Sequence, residues 1–223
     1  MNLDTVVLDV DGTLVDSVYV HVAAWRAAFA EVGVDVPTYR IHRAIGMGGD
    51  RLVGEVAGAA TERAVGDAVR ERHGHHFEER FGQVTALDGA ADLLQLLRER
   101  GTTVVVASSG EQEQTDRLLE LVGNADLLHE RVSGSEAESS KPAPDLIEVA
   151  LERVGADSAL VVGDAVWDVE SARKAGVPCV GLLTGGFSAD ELREAGAAEV
   201  LATPRDLVER FDEVVERVRA RST

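Results

Sequence analysis

The chain has 223 residues, one cysteine and a formal charge of −18, from 40 acidic against 22 basic side chains. That length suits one domain, or one domain with an insertion, and is ample for a full core; the acidic field repels nucleic acid and anionic lipid, so neither is expected as a partner. With 45% hydrophobic residues, mean hydropathy near zero, no long uninterrupted apolar run and no basic stretch before the first strand, the expectation is a globular, cytoplasmic protein without membrane span or signal peptide. Only two lysines occur, Lys141 and Lys174. Any phosphate site must therefore be built locally, from a metal, a basic residue and backbone N–H groups. Cys179 lies in an apolar run and reads as a small core residue.

The apolar run Val6-Val7-Leu8 leads into Asp9-Val10-Asp11-Gly12-Thr13. Residues two apart in a strand share a side, so a strand ending there leans both acids over one spot; Asp and Gly are equally ordinary turn residues. Residues 15–86 hold no convincing strand. Val22, Trp25, Phe29 and Val32 recur at helical spacing up to Gly33, a second helical patch follows Pro37, and Ile45-Gly-Met-Gly-Gly-Asp50 breaks it. Further helix is predicted over Arg51 to Ala57 and Glu62 to Phe81, with Phe77 and Phe81 on one face. Residues 16–86 thus read as an all-helical insertion, and 1–15 with 87–223 as the body that receives it.

From Asp88 the elements alternate. Helices are predicted at Gly89 to Arg100, Gln112 to Val122, Pro144 to Val154, Val166 to Ala175 and Ala189 to Ala195, and at the C-terminus. Strands are predicted at Thr103 to Ala107, Arg131 to Ser133, Ala159 to Gly163, Pro178 to Leu183 and Glu199 to Ala202. Continuous Val-rich strands between helices indicate an α/β fold, a Rossmann-like parallel sheet with helices on both faces. In such sheets ligands bind outside the carboxyl ends of the strands.

Four places at those ends carry polar groups: Asp9 and Asp11, then Ser108-Ser109-Gly110, then the loop Ser139-Ser-Lys-Pro-Ala-Pro-Asp145, and Gly163-Asp164-Ala-Val-Trp-Asp168. Each has an ordinary reading as a helix cap, helix start or solvated loop. Their joint occurrence along one sheet edge is harder to explain that way. Together, DxDGT at Asp9 to Thr13, the strand-end Ser108, KPxPD at Lys141 and GDxxxD at Asp164 to Asp168 resemble the haloacid dehalogenase superfamily. The branch is the one with a helical cap inserted after the first strand, which includes phosphoglycolate phosphatases and β-phosphoglucomutases.

The resemblance implies an Mg²⁺-dependent phosphatase acting on a small phosphorylated metabolite, with residues 16–86 as its cap. Asp9 would be the nucleophile that forms an aspartyl-phosphate, and Asp11 the general acid and then base. Asp9, Asp164 and the backbone carbonyl of Asp11 would hold Mg²⁺, and Asp168 would hold a metal-bound water or support Lys141. Ser108, Ser109 and Gly110 would grip phosphoryl oxygens, while Lys141 would neutralise nucleophile and phosphate. Asp9 is expected to stay ionised beside metal and lysine, and Asp11 to exchange a proton.

Dehalogenases of this superfamily lack the second acid of the DxD, which is present here. Phosphonatases need a cap lysine, and both lysines lie beyond residue 140. A β-phosphoglucomutase-like isomerase and a non-catalytic phosphate sensor remain alternatives. In the insertion, the Gly46 to Arg51 loop stands where a specificity loop is expected, and Arg51 or Arg43 could meet a second anionic group. His73, His75 and His76 lack convergent ligand spacing and read as helix surface, and Trp25, Phe29 and Trp167 as packing residues. Oligomeric state is not legible.

Overall fold

The computed structural model describes residues 3–221. In chain order the elements are β1 (Thr5–Leu8), β2 (Val15–Asp16), α1 (Val18–Glu31), α2 (Thr38–Ala44), α3 (Gly49–Ala57), α4 (Ala59–Arg80), β3 (Thr85–Ala86), α5 (Ala90–Glu99), β4 (Thr103–Ala107) and α6 (Gln112–Val122). They continue as β5 (Glu130–Val132), α7 (Asp145–Val154), β6 (Ala159–Gly163), α8 (Val166–Lys174), β7 (Cys179–Leu182), α9 (Ala189–Ala195), β8 (Glu199–Leu201) and α10 (Pro204–Arg221).

Six strands form one parallel sheet in the order β5-β4-β1-β6-β7-β8. All four residues of β1 are buried, as expected of a central strand covered on both faces. The two-residue period of the strand divides them: Val6 and Leu8 join the cluster that contains Leu93, Leu97 and Phe211, from α5 and α10. Val7 faces the opposite cluster, with Leu146 and Ile147 of α7 and Val169 of α8. Cys179 is buried in that second cluster. The chain moves outward one way through β4 and β5, then returns to build β6, β7 and β8 on the other side of β1. The reversal leaves a crevice at the carboxyl end of β1, where such sheets bind ligands.

Helices α1 to α4 leave and re-enter the body through an antiparallel pair, Val15 opposite Ala86 and Asp16 opposite Thr85. They have a core of their own, in which Val22, Trp25 and Phe29 of α1 meet Leu52 and Val53 of α3 and Val69 of α4. Phe77 and Phe81, expected on one face, meet edge to face at 6.1 Å. This helical unit sits over the carboxyl edge of the sheet. The indole Nε1–H of Trp167 donates to the Arg43 carbonyl at 3.0 Å, His42 Nε2 lies 2.9 Å from the Gly185 carbonyl, and Arg43 pairs with Glu191 at 2.5 Å. Among the described residues no helix is long and apolar enough to cross a membrane.

Candidate active site

The sheet register assembles the site. Leu8 pairs with both Val106 and Val162, so Asp9 lies level with Ala107 and Gly163, and Ser108 and Asp164 follow one step beyond. Lys141 arrives from the loop before α7 and is only 2% exposed, with Asp9 at 8%. Its Nζ donates to Asp9 Oδ1 and forms an ion pair with Asp168 Oδ1 at 2.7 Å. Asp168 Oδ2 in turn accepts the Ala165 N–H at 3.0 Å, which anchors the carboxylate at the start of α8. Thr13 Oγ1 donates to Asp164 Oδ1 at 3.1 Å. The turn that allows this approach requires glycine: Gly12 has φ +80°, and a Cβ there would lie 2.2 Å from Asp164 Oδ2.

Carboxylate oxygens of Asp9, Asp164 and Asp168 lie within 4.8 Å of one another, all buried. Burial pushes Asp9 up to about 7, helped by the neighbouring acids and resisted by Lys141. Burial likewise raises Asp164 well above the usual carboxylate range, with Asp168 and Asp9 adding to it. Burial works against the charge on Lys141, but Asp168 and Asp9 outweigh it and keep the ammonium protonated. Three buried carboxylates thus face a single lysine. Hard oxygen donors with uncompensated negative charge suit a small divalent cation such as Mg²⁺.

Asp11 is held separately. Its Oδ1 accepts from Ser17 Oγ at 2.5 Å and lies 3.0 Å from His21 Nε2. Burial alone would raise this carboxyl, but the His21 charge and the His21 and Ser17 hydrogen bonds bring it below its ordinary value. With the protein groups alone, burial is the dominant influence on Asp9, while His21 and Ser17 hold Asp11 down; the expectation of an ionised Asp9 counts a metal charge beside it.

Ser108 is buried, and its Oγ accepts the Gly110 N–H at 3.1 Å. Ser109 and Gly110 line a cavity of about 90 Å³ between sheet edge and helical unit, with Asp9 and Asp11 on the same side. Trp25, Met47, Leu52, His73 and Gln114 lie among its remaining walls. Arg51 is exposed on α3 and is not part of this lining, and Arg43 is engaged by Glu191 and the Phe187 ring, 4.1 Å from its centroid.

The histidine triplet divides. His75 is exposed and His76 pairs with Glu31 at 2.8 Å, but His73 faces the cavity, where its Nε2 lies 3.1 Å from His21 Nδ1 and its ring stacks on Trp25 at 3.9 Å. His73 is therefore a cavity wall, which corrects its reading as helix surface, whereas Trp25 packs in the helical core as expected and also lines the cavity. Sequence reasoning also passed over Thr13, Ser17, His21 and Gln114. For Ser17 and His21 a signal existed: they are four apart at the start of the first helix after the acidic turn, and so share a face.

Comparison with known proteins gives this geometry a family. The model of the haloacid dehalogenase-like hydrolases matches residues 3–176. A protein of Dickeya dadantii named "Probable phosphatase IndB" is 31% identical over 216 residues, spanning 94% of this chain and 91% of the relative. A phosphoglycolate phosphatase of Rhodospirillum rubrum is 30% identical over 206 residues, spanning 87% and 85%. A solved hydrolase from Pseudomonas syringae superposes with TM-score 0.86 at 33% identity, covering 94% of this chain and 98% of its own. On the match of its sequence, its sheet and its strand-end residues, the chain belongs to the haloacid dehalogenase-like hydrolases and is an enzyme.

Proposed function

We propose that this enzyme is an Mg²⁺-dependent phosphatase that hydrolyses the phosphate monoester of a small metabolite through an aspartyl-phosphate on Asp9, with residues 16–86 acting as its cap. The observation that carries the reading is the pair of differently held acids at one strand end. Asp9 is clamped by buried Lys141 beside Asp164 and Asp168, and Asp11 is held apart by Ser17 and His21. A binding module has no use for that division.

Asp9, Asp164 and the main-chain carbonyl of Asp11 would hold the metal. When bound, Mg²⁺ supplies positive charge that keeps Asp9 ionised and draws phosphoryl oxygens into place. Asp9 attacks phosphorus in line with the leaving oxygen. Lys141, locked by Asp168, stays protonated and offsets the charge that develops on the transferring group. Ser108, whose Oγ takes the Gly110 N–H, and the N–H of Ser109 would orient that group from the end of β4, with Gly110 fixing the Ser108 hydroxyl. Asp11, kept ionised in the free site by His21 and Ser17, would take up a proton when the ester binds, hand it to the leaving oxygen and then take one from the water that cleaves the acyl-phosphate. Its Oδ1 is engaged by Ser17 and His21, and no hydrogen bond among the described residues occupies its Oδ2, which supports that role. The cap limits water around the reacting groups.

The test is phosphate release from a panel of monoesters by the purified chain with and without Mg²⁺, beside Asp9→Asn. Metal-dependent release that is lost in the variant supports the reading; no release from any ester, or full activity in the variant, refutes it.

A further inference from the structure

The cavity over the acids is unusual in what its walls omit: among its lining residues there is no lysine and no arginine. Of the nearby cations, Lys141, Arg70 and Arg43 are committed to other partners. Lys141 is occupied beneath Asp9 by two carboxylates. Arg70 stands behind Gly49, where its guanidinium donates to the Gly49 carbonyl at 3.0 Å and is drawn off by Glu62 at 2.8 Å and Asp67 at 2.7 Å. Arg43 faces Glu191 on the outer side, and Arg51 is exposed beyond the lining.

The imidazoles add no free cation, because the charge His21 offers is already matched by Asp11. His21 has Nε2 on Asp11 and Nδ1 on His73. His73, stacked between Trp25 and the His21 ring, is kept neutral by burial and by its histidine neighbour. The remaining wall is the Trp25 ring, Met47, Leu52 and the neutral amide of Gln114. The space is about 90 Å³, well below the roughly 300 Å³ at which ordinary ligand pockets begin.

Resting on the phosphatase reading above, we propose that the substrate's alcohol portion is small and uncharged, with an apolar edge that packs on Trp25, Met47 and Leu52. Esters whose alcohol portion carries a carboxylate or a second phosphate are rejected. The transferring phosphoryl group already spends the cations of the site, so a further anion would be desolvated beside acids with no positive partner. This separates the chain from its phosphoglycolate phosphatase relative, whose named substrate carries a carboxylate.

The test compares kcat/KM of the full chain with Mg²⁺ on propyl phosphate and glycerol phosphate against phosphoglycolate and a propanediol bisphosphate, with p-nitrophenyl phosphate as reference. The neutral esters should lead the anionic ones by on the order of 100-fold. Equal or better turnover of phosphoglycolate or the bisphosphate overturns the inference while leaving the phosphatase reading intact. Failure on every ester, the reference included, overturns the phosphatase reading and this inference with it.

Two variants add the missing charge. Gly49 has no left-handed φ, and a Cβ there would meet only the Trp25 and Arg70 side chains, at 3.4 and 3.5 Å, so Gly49→Lys can be accommodated; Gln114→Lys places a cation on the opposite wall. Either should move the phosphoglycolate-to-propyl-phosphate ratio at least about tenfold toward the anion. An unchanged ratio in both overturns the claim that absent positive charge sets the preference.

Discussion

Replacing Lys141 by Met removes the one cation that lies among three buried carboxylates. The methionine keeps most of the volume of the stem, so packing changes little and charge changes most. Carboxylate oxygens of Asp9, Asp164 and Asp168 approach within 4.8 Å; at an effective dielectric of about 20, two unit charges at that distance repel by about 3.5 kcal/mol. The folded protein can escape only by binding protons. The expected destabilisation without metal is about 3–5 kcal/mol, the range for removing one partner of a buried pair, or a Tm loss of roughly 10 °C for a chain of this size. Urea unfolding in EDTA measures it.

The loss also has a direction with pH. Asp9 sits near 7 in the folded chain against 3.8 as its ordinary value, and loss of Lys141 raises it further. An acid whose folded value is raised contributes stability at low pH and loses it as pH climbs through that folded value. The deficit of Lys141→Met is therefore largest near pH 8 and smaller near pH 5.5. A variant as stable as the parent at about pH 8, or a deficit that grows on acidification, would refute the charge argument.

Mg²⁺ should stabilise the chain whether or not substrate is present: at 100 times its dissociation constant the gain is about 2.7 kcal/mol, read as a Tm rise that Asp164→Ala abolishes. Gly12→Ala should cost at least about 1–2 kcal/mol from the strained φ and weaken that metal response, since the new Cβ displaces Asp164; circular dichroism melts with and without Mg²⁺ report both. His73 is held well below its ordinary value by burial and by His21. A histidine with a lowered folded value contributes stability above its unfolded value and loses it as pH falls below about 6.5, by at most about 1.4 kcal/mol per pH unit. His73→Gln should flatten that part of the stability profile, and an identical acid slope in parent and variant would contradict the assignment.

The body of the enzyme was legible because its signals are local. Val-rich runs such as Val104-Val105-Val106 between helices suit a strand of a parallel sheet covered on both faces, and helix starts and stops fall within a few residues of their expected places. The strand-end groups were legible as motifs although their contacts are remote: Lys141 reaches Asp9 across 132 residues of chain and Thr13 reaches Asp164 across 151. The cavity wall was not legible. Which of His73, His75 and His76 turns inward depends on how α4 lies against α1, and the absence of arginine from the cavity lining depends on acids in the helical unit and in the body. Glu62 and Asp67 hold Arg70, and Glu191, from the body, holds Arg43. The protonation order of Asp9 and Asp11 likewise depends on burial and on His21, neither of which is visible in the spacing of two aspartates.

The most direct test of the central claim is to trap the covalent intermediate. The chain is mixed with Mg²⁺ and a turnover substrate, quenched within the first turnover, reduced with borohydride and mapped by mass spectrometry. The account predicts a modified Asp9 that is absent from Asp9→Asn and absent without metal. Sustained phosphate release with Asp9 unmodified, or modification at a different residue, would contradict it.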